Sequence, residues 1–287
     1  MNHDSPAEIR IALETTGVAL KKRWGQNFMI NRGAREKIVR LLDSKSGELV
    51  WEVGAGLGAL SEMIESLAGT TVLFETDHGL VRHLEETFQN SSVHVVAGDF
   101  IDNREDAVVA YGVPKRVVGN LPHSSGAAIV SAIVEHGPPA ERMVFTLQKE
   151  VVERMCAKSG SRTYSSFSAV CQAFYTVVNQ GDLQPGSFYP VPEVHSGVIT
   201  MDLRPDYSRV IDKGTFFNLV RSVFSARRKT LRNNLLRTAP FPLPKRDLLA
   251  VVQRTGIELG LRAEALTADQ LVDVSNQIHE LVHRGKS

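Results

Sequence analysis

A short segment that ends in Asn120, Leu121 and Pro122 carries groups suited to holding a planar amine. It closes an apolar run, and the aromatic ring of His123 follows directly. The side-chain oxygen of Asn120 and the carbonyl oxygen of Leu121 can each accept one N–H, while Pro122 stiffens the loop. Asn and Pro are also frequent in ordinary turns, so a strand that leaves the sheet through a turn is the alternative.

A glycine-rich loop and three acidic residues predict a site for a nucleoside that carries a positive charge. The loop holds Gly54, Gly56 and Gly58 after a short apolar run, and glycines allow close approach of a ligand to the backbone. Glu52 precedes the loop, and Glu75 and Asp99 end the next two apolar runs. We expect Glu75 to meet ribose hydroxyls and Asp99 to meet an adenine amine. Acids suit the sulfonium of S-adenosylmethionine better than a pyrophosphate.

Two other interpretations of this loop remain open. Gly54, Gly56 and Ala59, with Glu75 further on, also satisfy the loose dinucleotide-binding pattern of an oxidoreductase. The acids could instead cap the helices that follow them.

Together the two features indicate methyl transfer to the exocyclic amine of a base. The lone pair of such an amine is delocalised into the ring, and two acceptors on its N–H groups would direct it toward a methyl group. Positioning then supplies most of the catalysis, with no metal or strong base. His123 can stack on the base, as side chains do in enzymes that modify unpaired bases.

The apolar runs also predict the fold that positions these residues. Five short runs alternate with helix-compatible stretches, which favours a parallel sheet covered on both faces. Two later runs lack a full helix between them and predict an antiparallel edge. The predicted strands are 49–54, 71–75, 93–99, 116–121 and 142–148, then 174–181 and 195–203. We therefore expect an α/β, Rossmann-like domain over residues 1–205.

From Thr215 onward the pattern is helical, which predicts a small all-helical domain over residues 206–287. Phe216, Val220 and Val223 fall on one stripe, and Arg221, Arg228 and Arg232 on another. A solvated helix face is the alternative explanation of this basic stripe.

The composition excludes several other classes of protein. Hydrophobic residues make up 43% and charged residues 23% of the 287 residues, and no apolar run nears the ~20 residues of a membrane span. Cys156 and Cys171 form no CxxC motif, which predicts buried thiols in a reducing cytoplasm and no structural metal. His279 and His283 lie one helical turn apart without a third ligand, so we expect surface residues.

From about Lys21 to about Asn276, the chain resembles the small-subunit rRNA adenine N6-dimethyltransferases of the KsgA type. Nine segments carry the resemblance in order: RWGQNFMIN, EVGAGLGALS, FETD, GDF, GNLPH, LQKEVVERMCAKSGSRTYSSFS, FYPVPEVHSG, FSARRKTLRNNL and GIELGLRAEALT. The resemblance implies S-adenosylmethionine as methyl donor and dimethylation of two neighbouring adenines in a hairpin near the end of small-subunit rRNA. It also implies an immature small ribosomal subunit as partner, and we expect a monomer.

The resemblance assigns roles to residues of this chain. The cofactor residues it implies are Asn27, Met29, Glu52, Gly54, Gly56, Glu75, Asp99 and Asn120. The catalytic set is Asn120, Leu121, Pro122, His123 and Phe188, with Phe188 stacking on the target adenine opposite His123. Outside this motif, Phe188 would be taken as an ordinary core aromatic. The RNA phosphates are expected to meet Lys21, Lys22, Arg23, Arg221, Arg227, Arg228, Lys229 and Arg232.

The sequence departs from the family pattern mainly at His123, where Tyr is usual. A smaller ring stacks over less area and can titrate near neutrality. Two alternatives follow: an RNA-binding ribosome-assembly factor with weak or lost methylation, and a large-subunit rRNA adenine N6-methyltransferase.

Overall fold

The computed structural model describes residues 1–18, 27–137, 139–238 and 240–284. These residues form two units, a sheet-containing unit of Met1–Val152 with Val178–Leu203 and a helical unit of Glu153–Val177 with Arg204–Ser287. The predicted division after residue 205 lies close to the second junction. The prediction differs from the structure in one respect. Glu153–Val177 belongs to the helical unit, whereas the predicted boundary assigns it to the first domain.

The sheet-containing unit holds most of the strands. The strands are β1 Phe28–Met29, β2 Leu49–Val53, β3 Thr70–Glu75, β4 Val93–Ala97, β5 Arg116–Asn120, β6 Arg142–Gln148, β7 Tyr175–Leu183, β8 Phe188–Tyr189 and β9 Ser196–Leu203. The helices are α1 Pro6–Thr15, α2 Arg32–Leu42, α3 Ser61–Glu65, α4 His78–Thr87, α5 Phe100–Tyr111, α6 Gly126–His136, α7 Lys149–Met155, α8 Ser166–Phe174, α9 Lys213–Val223, α10 Leu231–Thr238, α11 Lys245–Arg254 and α12 Ala268–Arg284.

Seven strands form one sheet in the order β4-β3-β2-β5-β6-β9-β7. The pairs among β4, β3, β2, β5 and β6 are parallel, and β9 joins β6 antiparallel. The predicted mostly parallel sheet with an antiparallel edge is therefore confirmed. The carboxyl ends of β2, β3 and β5 meet at one edge, which is where open α/β sheets bind ligands.

Within the part of the chain that the structure describes, β1 and β8 form a second, two-stranded sheet, which no pattern in the sequence predicts. Phe28 pairs with Tyr189 and Met29 with Phe188, antiparallel. Two-residue strands carry no periodicity, so only the folded chain reveals them. This pairing joins the segment before α2 to the segment before β9.

Helices of the sheet-containing unit begin at polar caps that lie beside this edge. Asp77 accepts hydrogen bonds from the first amides of α4, and Asp99 accepts one from Ile101 at the start of α5. In the helical unit, the rings of Phe174, Phe216 and Phe217 pack together with centroids 5.5–5.8 Å apart. The helical character predicted for the C-terminal part is confirmed.

Candidate active site

A cavity of about 350 Å³ opens at the carboxyl ends of β2, β3 and β5. A volume of this size suits a nucleoside-sized ligand. The structure brings to its lining all eight residues predicted to hold the cofactor, namely Asn27, Met29, Glu52, Gly54, Gly56, Glu75, Asp99 and Asn120. Leu121, Pro122 and His123 line the same cavity. Residues that are far apart in the chain thus share one concave surface.

Glu75 connects the glycine loop to the end of β3. Its Oε2 accepts a hydrogen bond from the amide of Gly56 at 2.9 Å. Its Oε1 accepts from the amides of Thr76 and Asp77 at 2.8 and 3.0 Å. Burial raises the pKa of Glu75, and these backbone hydrogen bonds oppose the rise. Gly56 adopts a positive φ of 60°, a conformation that L side chains rarely take.

Glu52 lies beneath the loop and is almost completely buried. Burial raises its pKa to about 8, while the hydroxyl of Ser61, which donates to its Oε2 at 2.6 Å, lowers it. The nearby Glu75 raises it further. Glu52 is therefore mostly protonated at neutral pH and adds little negative charge to the cavity.

Asp99 has both of the roles, helix cap and cavity lining, that its place in the sequence offers as alternatives. Its side chain caps α5 by accepting from the Ile101 amide at 2.7 Å, and the residue also lines the cavity. A capping carboxylate keeps acceptor capacity on its oxygens, so it can also meet a ligand amine.

Asn120 is held by a residue that precedes it by 93 positions. Its Nδ2 donates to the carbonyl oxygen of Asn27 at 2.7 Å. Because the amide nitrogen is committed to Asn27, the orientation of the side chain is defined and Oδ1 remains an acceptor. The amide of Leu121 donates to Thr146 on the neighbouring strand at 3.1 Å, which fixes the next peptide group as well.

The segment after Leu121 is a turn, as the simpler interpretation predicted, and it still lines the cavity. The carbonyl oxygen of Pro122 accepts from the amides of Ser125 and Gly126 at 3.2 and 2.8 Å. The half-buried ring of His123 lies with Nε2 3.2 Å from the hydroxyl of the buried Ser196 on β9. Burial lowers the pKa of His123, so the ring is neutral at pH 7. This position thus offers an uncharged aromatic surface at neutral pH.

Phe188 does not lie where the predicted stacking role requires. Its ring is 1% exposed and packs in the core with Met29, Val118, Val144 and Val198. It is absent from the described lining of the cavity. Pairing of β8 with β1 turns the ring inward, so in this conformation it presents no face to a base. The ordinary core interpretation fits its position.

The basic residues predicted to contact RNA differ in their surroundings. Arg227 donates to Glu264 at 2.9 Å and also to the carbonyl oxygen of Arg162. Arg227 therefore links the segments that hold Arg162 and Glu264 within the helical unit. All five predicted RNA contacts on this unit are exposed, and the four besides Arg227 are Arg221, Arg228, Lys229 and Arg232. Lys21, Lys22 and Arg23 lie outside the described residues.

Two residues of the cavity lining carry no signal in the sequence. His3 and Ile9 come from the start of the chain and line the same cavity. The Nε2 atom of His3 lies 3.0 Å from Glu62 Oε1, a residue 59 positions away. No local spacing predicts such a contact.

Other predicted features are also located. Cys171 is buried and Cys156 is partly buried. Within the described ranges, no three His, Cys, Asp or Glu side chains converge in a way that would hold a metal ion. No helix among residues 1–18, 27–137, 139–238 and 240–284 combines the length and apolar character that a bilayer span requires.

Comparison with known proteins agrees with this geometry. The family model described as ribosomal RNA adenine dimethylase matches residues 17–280. The chain is similar to a protein of Treponema denticola named ribosomal RNA small subunit methyltransferase A, with 33% identity over 98% of this chain and 97% of that protein. A protein of the same name from Geobacter metallireducens is 34% identical over 92% of this chain and 98% of that protein.

Solved structures share the fold. A dimethyladenosine transferase from Plasmodium falciparum superposes with a TM-score of 0.75 at 22% identity, over 88% of this chain and 97% of that one. The 23S rRNA methyltransferase ErmE superposes with a TM-score of 0.62 at 19% identity, over 88% of this chain and all of that one. The Rossmann-like architecture is thus common to both.

Proposed function

We infer the function of this protein from one premise: the chain belongs to the ribosomal RNA adenine dimethylase family. It is an rRNA adenine dimethyltransferase. The match covers residues 17–280, so it includes the glycine loop, the basic residues of 221–232 and the clamp, which we define as Asn120 and Leu121.

We propose that its substrate is small-subunit rRNA, on which it dimethylates N6 of two neighbouring adenines in a hairpin near the end of the molecule. Relatives that match along nearly their whole length are named for the small subunit, which favours this target over large-subunit rRNA. The partner is then an immature small ribosomal subunit, which a monomer of this protein binds in the cytoplasm.

The cavity fits S-adenosylmethionine as methyl donor. Glu75 is an acceptor suited to a ribose hydroxyl, and Asp99 is an acceptor suited to an adenine amine. Gly54 and Gly56 leave room beside the backbone. When bound, S-adenosylmethionine supplies a methyl group attached to a positively charged sulfur. Glu52, protonated beneath the loop, supports the site without adding a charge.

Asn120 and Leu121 position the amine that accepts the methyl group. The hydrogen bond from Asn120 to Asn27 carries this proposal, because it leaves the Asn120 Oδ1 as a fixed acceptor at the cavity. Oδ1 and the Leu121 carbonyl oxygen each accept one N–H, which directs the nitrogen lone pair away from both acceptors. Holding reactants in this way can contribute roughly 7–11 kcal/mol to catalysis.

His123 contributes an uncharged ring beside the clamp. Its lowered pKa keeps it neutral, and Ser196 holds its orientation through Nε2. A neutral ring can stack on adenine without the desolvation cost of a buried charge. The position therefore keeps the aromatic function with a ring smaller than the usual Tyr.

The proposal is tested by incubating the protein with immature small subunits and S-adenosylmethionine labelled on its methyl group, then mapping the modified bases. Two neighbouring dimethylated adenines are expected. Label on large-subunit rRNA would support the large-subunit alternative. RNA binding without transfer of labelled methyl groups would support an assembly factor that has lost methylation. This remains the second candidate because His123 stands where Tyr is usual.

A further inference from the structure

The N-terminal segment, defined as residues 1–16, forms part of the cavity that holds the predicted cofactor residues. Both His3 and Ile9 line this cavity. The side chain of His3 is 6% exposed, so it is packed into the protein. The family match begins at residue 17, so this segment lies outside the part of the chain that defines the family.

Two sets of contacts hold the segment in place. Ile9 packs in an apolar cluster with Leu57 and Leu80, which also line the cavity. Arg35, 4% exposed, donates to Asp4 at 2.5 Å and to the carbonyl oxygen of Met29 at 2.7 Å. The guanidinium therefore ties the N-terminal segment directly to a residue of the predicted cofactor site.

The contact of His3 with Glu62 determines which of the two ring nitrogens faces a protein partner. The hydrogen bond with His3 is the main cause that lowers the pKa of Glu62, so Glu62 is ionised at neutral pH. An ionised carboxylate only accepts hydrogen bonds, hence Nε2 of His3 carries the hydrogen. The other ring nitrogen, Nδ1, has no hydrogen-bond partner among the described residues.

The lining of the cavity supports a ligand contact at this position. Its titratable side chains, among the described residues, are three carboxyl groups and the two imidazoles of His3 and His123. His123 is committed to Ser196. A ligand with hydroxyl groups can therefore form a hydrogen bond with Nδ1 of His3, which Glu62 holds at the cavity through Nε2.

We propose that the N-terminal segment is part of the cofactor site and that His3 binds the cofactor directly. Nδ1 of His3 forms a hydrogen bond with the ligand, either with a ribose hydroxyl or with its amino-acid part. This inference rests on the proposed function, since it takes S-adenosylmethionine as the ligand.

The test measures S-adenosylmethionine binding to the full-length protein by titration calorimetry, without RNA. His3→Ala is expected to weaken binding on the order of tenfold, as loss of one buried hydrogen bond does. His3→Asn keeps an acceptor near the position of Nδ1 and is expected to remain within about threefold of the wild type. His136→Ala removes an exposed imidazole away from the cavity and serves as the matched control.

Related ligands identify the donor group. If His3→Ala weakens binding of S-adenosylhomocysteine but not of 5′-methylthioadenosine, the contact is with the amino-acid part, whereas equal weakening of both assigns it to the ribose. Equal binding by wild type and His3→Ala would overturn the role of His3. So would equal weakening by His3→Ala and His3→Asn accompanied by a lowered melting temperature, because that pattern indicates structural support only. Failure of the wild type to bind S-adenosylmethionine would instead overturn the proposed cofactor.

Discussion

The side-chain amide of Asn120 and the main-chain carbonyl of Asn27 are joined by a hydrogen bond of 2.7 Å. The two residues belong to different parts of the sheet-containing unit and meet at the cavity. Asn27 precedes β1, and Asn120 ends β5. The bond orients the acceptor of the clamp before any substrate arrives.

Replacing Asn120 should therefore affect chemistry more than binding. Asn120→Ala is expected to slow methyl transfer at saturating RNA by about a hundredfold or more, because the amine loses one of its two acceptors. RNA affinity should stay within about twofold. Single-turnover transfer and gel-shift titration measure the two quantities, with the exposed Asn90→Ala as control. An unchanged transfer rate would contradict the clamp.

Phe188→Leu distinguishes a core residue from a stacking residue. Because the ring is buried, the substitution should reduce the free energy of unfolding by about 1–3 kcal/mol. The transfer rate per folded molecule should change little. Phe145→Leu, at a fully buried position on β6 of the seven-stranded sheet, provides the comparison. A large drop in rate with unchanged stability at Phe188 alone would restore the stacking role.

Glu52 gives a prediction for the pH dependence of stability. Its pKa is about 8 in the folded state and near 4.5 when unfolded, so the folded state binds more protons between these values. The contribution of Glu52 is full below about pH 4.5 and is lost as the pH rises through about 8. Glu52→Gln cannot ionise, so its melting temperature should rise relative to the wild type from pH 5 to pH 8. Glu36→Gln, on α2 where Glu36 pairs with Arg32, provides the comparison. A constant offset across this range would contradict the raised pKa.

The basic residues of the helical unit should separate into two classes. Replacing Arg228 and Lys229 together by Gln is expected to reduce the slope of log affinity against log salt by roughly 1.5, as loss of two phosphate contacts does. Arg227→Gln should leave that slope unchanged and lower the melting temperature, because Arg227 is bound to Glu264 and Arg162. Salt titrations of RNA binding measure the slopes. If Arg227→Gln reduced the slope, Arg227 would instead be assigned to the residues that contact RNA phosphates.

The sequence predicts the sheet well because its strands are short, apolar and separated by helices. It also places the acids and the clamp at one edge, since the ends of parallel strands must meet there. Features that depend on packing between distant parts of the chain could not be predicted from the sequence. The inward turn of Phe188 follows from the pairing of β8 with β1, and the tie of Arg227 depends on Glu264, 37 positions away. His3 reaches the cavity only through contacts with distant residues.

Glu75 has a further consequence for the choice of ligand. A carboxylate offers about four acceptor positions, and backbone amides of Gly56, Thr76 and Asp77 already take three of them. The Thr76 hydroxyl also donates to Oε1, at 3.4 Å, so the position left is on Oε2, and Glu75 can recognise a single hydroxyl there and not a vicinal pair in bidentate fashion. Of two deoxynucleoside analogues of the methyl donor, the 2′- and the 3′-deoxy compounds, we expect one to be discriminated against at this carboxylate and the other to be tolerated.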